Sequence, residues 1–252
     1  MRDLFKMDLR QLFHRKTLYL MIVIMVALTA SMLFLSPPAS ASIGSVLGVM
    51  NGVSMDNFMS AASGLGLIYT LMCVMLSFFV CDDFSSGFAK NIFTVHAGKF
   101  DYISSKIASM MVGSGVLMLL SLIVSLLYCI TGGVALGSIG GIVVFWLEKW
   151  LLTAPFAAAI LCLSLLVRNK GLGFVFACLL GTGGLVMGLA WGLEALHIPF
   201  ASQILSFTIY GVSTLPSLAF HLGDFVHILI VGVVWTVVWS LLSSVVLKKK
   251  DV

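Results

Sequence analysis

The sequence predicts an all-α integral membrane protein with six transmembrane helices, and three observations support this fold class. Of the 252 residues, 60% are hydrophobic and 10% are charged, and the mean hydropathy is +1.14. Because soluble domains carry about 25% charged residues, this composition excludes a water-soluble globular protein. The second observation is a set of six apolar runs, each long enough to cross the roughly 30 Å hydrocarbon core of a bilayer. The third is the distribution of basic residues between the connecting segments.

The apolar runs leave no room for a soluble domain, so we treat residues 1–252 as a single transmembrane domain. The predicted spans are 17–35, 61–80, 107–131, 142–167, 171–193 and 225–247. If both termini lie on one side, 13 of the 14 lysines and arginines belong to segments on that side, and the opposite loops contain none. The positive-inside rule then places both termini in the cytoplasm.

The segment 1–16, ahead of the first span, has the pattern of an amphipathic helix. Its apolar residues Phe5, Leu9, Leu12 and Phe13 share one helical face, and its basic residues lie largely away from that face. Such a helix would lie in the interface on the cytoplasmic side. A disordered basic tail is an alternative. A signal peptide cleaved near residues 39–41 is a second one, but the apolar run is longer than the usual 7 to 15 residues.

The sequence lacks the motifs of several enzyme classes, so we predict no catalytic residues. The only Gly-Lys pair, Gly98 and Lys99, is not part of a phosphate-binding loop, and no H-E-x-x-H or G-x-S-x-G is present. The five cysteines show no C-x-x-C spacing, which argues against a disulfide or zinc site. His221 and His227 flank Asp224, but a spacing of six residues does not place them on one helical face. We therefore predict no metal site.

One charged pair, Glu148 and Lys149, lies inside a predicted span. The favoured interpretation is that the membrane-crossing part begins near Leu151, and that the pair extends toward the outer interface between Trp146 and Trp150. The alternative is a polar feature in the outer part of a translocation path. Because the spans carry no further charge, the sequence argues against proton or sodium coupling.

Glycine is frequent in the spans, and the fifth span has a repeated small-residue spacing. Gly184, Gly188 and Gly192 recur at every fourth residue, which permits close contact with another helix. Such spacing is common in membrane helices, so it identifies no particular partner.

The segment 81–106, between the second and third spans, is the most informative part of the sequence. It is too long for a tight hairpin and too apolar for a solvated linker. An apolar face beside charges of both signs is typical of a surface that docks another protein. An interfacial helix lying on lipid explains the pattern equally well. The apolar residues of this segment are Phe84, Phe88, Ile92, Phe93 and Val95.

This segment resembles the coupling loop in the membrane subunits of type-2 ABC exporters. That family has an acidic residue at the end of the second span, a short S-G-x-x-K-N-like helix, and a turn with a basic residue before the third span. The usual proline and arginine of the turn are replaced by His96 and Lys99. The resemblance extends over the whole chain, including the amphipathic first helix and the long outer segment. The matching residues are Asp82 or Asp83, Ser86-Gly87-Phe88-Ala89-Lys90-Asn91 and His96-Ala97-Gly98-Lys99.

The resemblance implies a role for each part of this loop. Acidic and basic side chains are expected to act as electrostatic latches against an ATPase, and Phe84 and Phe88 as apolar knobs. The expected coupling residues are Asp82, Asp83, Phe84, Ser86, Gly87, Phe88, Lys90, Asn91, His96 and Lys99.

The resemblance also implies the partners and the outer structure. Two separately encoded cytoplasmic ATPase subunits would bind ATP and Mg²⁺, and a second copy of this chain or a similar permease would complete the transporter. The chain itself would be no enzyme and would bind no cofactor and no nucleic acid, with membrane lipid as its other partner. In the outer segment 194–224 we expect re-entrant helices at Ile198–Phe207 and Ser213–Leu222.

The expected translocation path lies between the second and fifth spans of two protomers. The 14 methionines suit an adaptable surface for amphipathic cargo. Small permeases of this kind look similar to bacterial exporters of antimicrobial peptides, including phenol-soluble modulins, so we expect peptide export across a bacterial plasma membrane. Multidrug or lipid-like cargo is the alternative; an ion-coupled carrier or channel without an ATPase, and a scaffold or sensor, are the other classes. The candidate path residues are Thr70, Ser77, Glu148, Lys149 and Met187.

Overall fold

The computed structural model describes residues 2–35, 67–95, 98–132, 139–197, 200–216 and 221–249. These residues form twelve helices and no strand. The candidate cleavage site at 39–41 and the residue His96 lie outside the described residues. The helices are α1 (Arg2–His14), α2 (Lys16–Leu35), α3 (Leu67–Ser85), α4 (Phe88–Val95), α5 (Lys99–Gly132), α6 (Ile139–Leu151), α7 (Thr153–Val167), α8 (Lys170–Gly181), α9 (Gly184–Ala195), α10 (Ala201–Ser206), α11 (Ile209–Ser213) and α12 (Leu222–Lys249).

Each of the six predicted apolar runs contains a helix or a pair of helices. By length and composition, α3, α5, α12 and the pair α6–α7 are each able to cross a membrane. The pairs α1–α2 and α8–α9 also qualify, but they are bent by 59° and 62°. The described part of the chain therefore has four candidate spans, or up to six if each bent pair is one span. This is the architecture of a multi-pass helical membrane protein.

The helices around the predicted coupling loop extend beyond the predicted spans. α3 continues to Ser85 instead of ending at residue 80, and α5 begins at Lys99 instead of residue 107. The loop predicted over 81–106 therefore shrinks to a turn, the short helix α4 and the residues that follow it. α5 has 34 residues, a length of about 51 Å that exceeds the roughly 30 Å bilayer core.

A proline interrupts the fourth predicted span. α6 ends at Leu151, and α7 begins at Thr153 with Pro155 in its first turn. A proline ring collides with the carbonyl four residues earlier and has no N–H to donate to it. Here that carbonyl belongs to Leu151, so the position of Pro155 explains why α6 ends where it does.

The fifth predicted span, 171–193, consists of two helices, α8 and α9, bent by 62° relative to each other. Between α8 and α9, Gly183 has a φ angle of +79°, a backbone conformation that favours glycine. The ring of Tyr210 occupies the position that a side chain at Gly183 would take. The bend therefore depends on a contact with a residue far along the sequence.

α3 and α7 form the centre of the bundle. Inside the protein, 72% of the window Ile68–Ser85 of α3 is buried, against 17% of Leu222–Lys249 in α12. α7 packs on α3, α5, α8 and α12. The ring of Tyr69 in α3 stacks on Phe156 of α7, with 4.4 Å between their centroids. These contacts make α3 an internal helix and α12 a peripheral one.

Small residues allow α8 to lie directly against α3. Gly173, Ala177 and Gly181 recur at every fourth residue of α8, and all three are buried. A side chain at Gly173 would collide with Ser77, and one at Gly181 would collide with the backbone of Thr70. This small-residue face is the reason that two helices of the bundle can approach so closely.

The glycines that the sequence analysis singled out in α9 do not make such a contact. A side chain at Gly188 or Gly192 would meet no atom within 4 Å in the described structure. The close contact is therefore made by the small residues of the preceding helix, α8. The sequence spacing by itself did not distinguish these residues from the glycines of α9.

Candidate functional site

The first helix packs against α5 with a face that carries a carboxylate. Leu4, Asp8 and Leu12 are buried at intervals of four residues. The buried face is rotated by part of a helical turn from the apolar face that the sequence predicts. The reason is that Asp8 binds side chains of α5 inside the bundle. Three of the four predicted residues are only half-buried, namely Phe5, Leu9 and Phe13.

Lys106 of α5 is the centre of a buried group of ion pairs, which we name the Lys106 cluster: Asp8, Asp83, Tyr102, Ser105 and Lys106. The Lys106 Nζ atom lies 2.8 Å from Oδ1 of Asp8 and 2.6 Å from Oδ2 of Asp83. These three side chains are at most 1% exposed. The Ser105 hydroxyl donates to Asp8 at 2.5 Å, and the Tyr102 hydroxyl donates to Asp83 at 3.1 Å. Buried charges need such paired and hydrogen-bonded partners.

Arg15, between α1 and α2, connects the Lys106 cluster to the protein surface. Its guanidinium donates to Oδ2 of Asp82 at 2.6 Å and lies 3.7 Å from Oδ1 of Asp83. Lys170, the first residue of α8, lies 2.5 Å from the other oxygen of Asp82. The connected charges join α1, α3, α5 and α8, and three acidic side chains balance three basic ones.

Helix α4 packs on the Lys106 cluster through its apolar face. Ile92 is buried, and the ring centroid of Phe93 lies 5.3 Å from that of Tyr102. Phe84, at the end of α3, faces Tyr102 edge-on and lies 4.5 Å from the guanidinium carbon of Arg168. The apolar face predicted to dock another protein is therefore largely folded onto the protein's own helices.

The expected electrostatic latches have different positions in the structure. Asp83 is buried in the Lys106 cluster with a side chain that is 1% exposed, whereas the side chain of Asp82 is 34% exposed. The Nζ of Lys99 donates to the carbonyl of Leu247 at 2.8 Å, near the end of α12. The side chain of Lys90 lies outside the described residues.

The turn before α4 remains accessible. Ser86 is exposed, while Phe88 and Phe84 are half-buried. Gly87 has a φ angle of +73°, and a side chain there would meet no atom within 4 Å in the described structure. This turn is therefore an accessible part of the segment between α3 and α5. The side chain of Asn91 and the whole of His96 lie outside the described residues.

A second polar group lies at the opposite end of the bundle, around α10 and α11. Lys149 of α6 donates its ammonium to the carbonyl of Ser213, the last residue of α11, at 2.6 Å. Trp235 of α12 donates its indole N–H to the carbonyl of Phe207, directly after α10, at 2.7 Å. Each short helix thus has a terminal carbonyl satisfied by a donor from a longer helix. Backbone within a bilayer requires such partners.

The two short helices lie beside the first half of α12. The ring of Phe207 is 5.2 Å from that of His227, and its carbonyl binds Trp235. At 1.5 Å per residue, these two positions are roughly 8 Å and 20 Å from the start of α12. The end of α10 therefore lies along the first half of α12.

The second predicted re-entrant helix, Ser213–Leu222, lies partly outside the described residues, and α11 covers Ile209–Ser213. Thr208 starts the helix, since its side chain accepts a hydrogen bond from the N–H of Gly211 at 3.0 Å. Pro216 follows three residues after the end, where a proline is common.

Glu148 and Lys149 do not extend toward the membrane surface as the sequence interpretation expects. Their side chains are 3% and 4% exposed. The indole of Trp150 donates to the carbonyl of Met111 in α5 at 2.9 Å, so this ring points into the bundle. Because Lys149 binds a carbonyl of α11 inside the protein, its charged group has no need to reach water.

The other candidate path residues do not share one surface. Ser77 is fully buried and accepts a hydrogen bond from Ser164 of α7 at 3.2 Å. The backbone of Thr70 occupies the space that a side chain at Gly181 of α8 would need. Met187, on α9, is exposed. α8 lies directly against α3 through its small-residue face, so Ser77 and Thr70 lie beneath α8 in the bundle.

The sequence analysis did not select Asp8, Arg15, Tyr102 or Lys106 as site residues. A signal for Asp8 was present, because it lies four residues from a leucine on each side and therefore interrupts an apolar stripe. Tyr102 and Lys106 are likewise four residues apart on one face. Nothing in the sequence indicates that these two faces meet.

No family model matches this chain, and no curated protein sequence matches it. Among the described residues, no three His, Cys, Asp or Glu side chains are arranged to hold a metal ion. The structure defines a class, a multi-pass helical membrane protein with a buried cluster of ion pairs at one end and short helices folded inward at the other. The resemblance to type-2 ABC exporters rests on the sequence pattern.

Proposed function

We propose that this chain is the membrane subunit of an ATP-driven exporter. In this proposal, separate cytoplasmic ATPase subunits bind at the turn before α4 and at α4 itself. A second copy of the chain or a similar permease completes the translocation path. The observation that carries the proposal is the packing of α4, a short helix between two long ones, on the Lys106 cluster.

A chain of short contacts leads from α4 into the bundle. Phe93 contacts Tyr102, whose hydroxyl donates to Asp83. Asp83 pairs with Lys106, and Lys106 pairs with Asp8 in α1. Removing one partner of a buried ion pair costs roughly 3–5 kcal/mol, so these elements move together more easily than they separate. A force applied to α4 would therefore displace α1, α3 and α5 as one unit.

The proposed docking surface is smaller than the sequence pattern suggested. Asp83 acts inside the protein, so we assign it the role of transmitting the force. Asp82, Ser86 and Phe88 remain accessible enough to contact an ATPase. The left-handed backbone of Gly87 sets the angle between α3 and α4, and so the direction in which α4 projects.

We propose an amphipathic peptide as the cargo. The outer face of α8 and α9 is apolar over its length, and it includes an adaptable methionine, Met187. The apolar side of an amphipathic helix would lie against such a face. The exposed residues of this face are Leu172, Phe174, Val175, Leu179, Leu185, Met187, Leu189 and Trp191.

The first test is co-purification of the tagged full chain from its native membrane in mild detergent, with mass spectrometry of the proteins that remain bound. We expect an ATPase of about equal abundance. A chain that is repeatedly isolated alone, and that transports in vesicles without ATP, would contradict the exporter and favour an ion-coupled carrier or channel.

The second test changes the angle of α4 without removing a contact. Gly87→Ala is expected to abolish most peptide-stimulated ATP hydrolysis in the reconstituted complex, because a left-handed residue other than glycine costs roughly 1–2 kcal/mol and the turn relaxes to avoid it. The control is Gly232→Ala in α12, which also faces open space but has no left-handed backbone. Equal stimulation in both variants would show that the turn has no coupling role.

A further inference from the structure

A groove lies between α5 and α12, at the end of the bundle that holds the Lys106 cluster; we name it the α5–α12 groove. Its volume is about 350 Å³, within the range of roughly 300–1,000 Å³ that is typical of sites for small molecules. It opens to the outside of the bundle, because several of the side chains that line it are exposed. Its apolar walls include Phe100, Ile103, Ile107 and Met111 of α5 and Val237 and Leu241 of α12.

The hydroxyl groups in the α5–α12 groove are already satisfied. Ser104, Thr236 and Ser240 also line it. Each of these hydroxyls donates to a carbonyl of its own helix, at 3.0, 2.7 and 2.6 Å respectively. Such hydroxyls do not require a polar occupant, because their hydrogen bonds are made within the helix. The group that fits these walls is therefore an apolar chain.

The α5–α12 groove has the length of one leaflet of a bilayer. Phe100 and Met111 lie at its two ends on α5, about 16 Å apart at 1.5 Å per residue. The hydrocarbon core is roughly 30 Å thick, so one leaflet contributes about 15 Å. α12 stays apolar as far as Leu247, which contacts Lys99, so the level of Lys99 is where the hydrocarbon region ends. The groove therefore runs from this level toward the middle of the membrane.

Three lysines lie at the outer end of the groove. The Nζ of Lys99 donates to the carbonyl of Leu247 at 2.8 Å and so joins the start of α5 to the end of α12. Lys248 and Lys249 follow directly and are exposed. Among the described residues at these two helix ends, Asp101 is the one acidic residue outside the Lys106 cluster. Positive charge is therefore in excess at the mouth of the groove.

The helix periodicity places one of these lysines directly above the groove. Lys248 follows Leu241 by seven residues, which is close to two full turns, so both residues lie on the same face of α12. An ammonium group has three N–H donors, and Lys99 uses one of them for the carbonyl of Leu247. Lys99 and Lys248 are thus both placed to bind an anionic group at the end of an apolar chain.

We propose that the α5–α12 groove binds an anionic phospholipid, with one acyl chain between the two helices and the headgroup beside Lys99 and Lys248. The positive-inside rule assigns this end of the bundle to the cytoplasmic leaflet, which carries the anionic lipids. The proposal rests on the groove and its lysines and does not depend on an ATPase or on a cargo.

A second copy of the chain fits the groove less well than a lipid. In a symmetric pair inserted in the same direction, the same surface of each copy faces the other. The lysines at the mouths of the two grooves would then lie at the same level and repel each other. An anionic lipid instead brings the charge that the mouth lacks.

The test is native mass spectrometry of the full chain, purified in mild detergent and incubated with phosphatidylglycerol or with phosphatidylcholine that has the same acyl chains. For the wild type, we expect the Kd of phosphatidylglycerol to be about fivefold or more below that of phosphatidylcholine, because each lysine near an anionic headgroup adds attraction. Equal Kd values for the two lipids would overturn the proposal.

The first pair of variants tests the headgroup. The double variant Lys248→Gln with Lys249→Gln is expected to bind phosphatidylglycerol no better than phosphatidylcholine. The control, Lys6→Gln with Arg10→Gln, removes two exposed charges from α1 and is expected to keep the preference of the wild type. A preference that survives in the first double variant, or that disappears in both, would show that the lysines at the groove do not select the lipid.

The second pair of variants tests the acyl chain. Ala108 lines the groove, so the ring in Ala108→Phe is expected to fill it and to weaken the binding of both lipids about tenfold. Ile123→Phe adds the same ring at an exposed position of α5 outside this groove and should bind both lipids as the wild type does. Unchanged binding in Ala108→Phe would refute the position of the chain. A lipid-free dimer that Ala108→Phe dissociates would assign the groove to a second copy and overturn the proposal.

Discussion

The two buried lysines of the bundle, Lys106 and Lys149, have opposite electrostatic surroundings. Lys106 pairs with two carboxylates from two other helices, and the charges connected to it sum to zero. Lys149 binds the backbone carbonyl of Ser213, and the opposite charge that acts on it belongs to its neighbour Glu148. The first lysine joins long helices through carboxylates, and the second joins α6 to the short helix α11 through a carbonyl. A buried lysine can therefore be held by ion pairs at one end of a bundle and by the backbone at the other.

The difference follows from the partners that each end provides. In the Lys106 cluster and the ion pairs connected to it, α1, α3, α5 and α8 each bring a charged side chain, so each of these charges lies near an opposite one. At the opposite end, the ammonium of Lys149 is bound by the buried carbonyl of Ser213. This end is therefore joined by a contact between a side chain and the backbone.

The largest effect is expected from Lys106→Met, which keeps the length of the side chain but removes the ion-pair partner of Asp8 and leaves Asp83 with the more distant Arg15. We expect the free energy of unfolding in detergent to fall by about 3–5 kcal/mol. Chemical denaturation followed by tryptophan fluorescence measures this loss. The double variant Asp8→Asn with Lys106→Met should lose less than the sum of the two single variants, and strict additivity would show that the pair is not coupled.

A smaller effect is expected from Lys149→Met. This substitution removes one hydrogen bond, from the ammonium to the carbonyl of Ser213, and does not break a short ion pair such as those of Lys106. We expect a loss of about 1–3 kcal/mol. Hydrogen exchange should rise in the backbone of α11 and remain unchanged in α4. Unchanged exchange in α11 would show that Lys149 does not hold that helix.

The smallest effect should be an increase in the free energy of unfolding, in contrast to the two losses above. Glu148→Gln removes a buried charge whose desolvation cost Lys149 offsets in part, so we expect the free energy of unfolding to rise by about 1 kcal/mol. The matched control, Asp83→Asn, removes a carboxylate that is paired in the Lys106 cluster and should destabilise the protein. If both variants lowered stability equally, the two ends would not differ in the way described above.

The sequence predicted the long helices well, since the ability to cross a bilayer depends on the length of an apolar run and on hydrogen bonds that a helix satisfies internally. The break before α7 was also open to prediction, because Pro155 acts on the carbonyl four residues earlier. The bend at Gly183 could not be predicted in this way, because many glycines lie in the spans. Gly183 differs from the others in that the ring of Tyr210 fills the space beside it.

For the candidate site, the sequence indicated the loop that contains α4 but not the roles of its acidic residues. Asp82 and Asp83 are neighbours with the same chemistry, yet one is partly exposed and the other is buried beside Lys106. A helix turns about 100° per residue, so adjacent side chains point in different directions and only the neighbouring helices decide which one is buried. For the same reason, Glu148 and Lys149 did not form the pair that their adjacency suggests.

What the sequence alone determined about this protein is its class of structure, the order of its long helices and the end at which its basic residues gather. These properties follow from composition, from the length of apolar runs and from charge along the chain. Only the tertiary structure decided that Asp8 faces Lys106, that Lys149 binds α11 and that Asp83 is buried while Asp82 is partly exposed. Each of these depends on which residues from distant parts of the chain meet, and a buried charge is stabilised or left unpaired by those neighbours, not by its own identity.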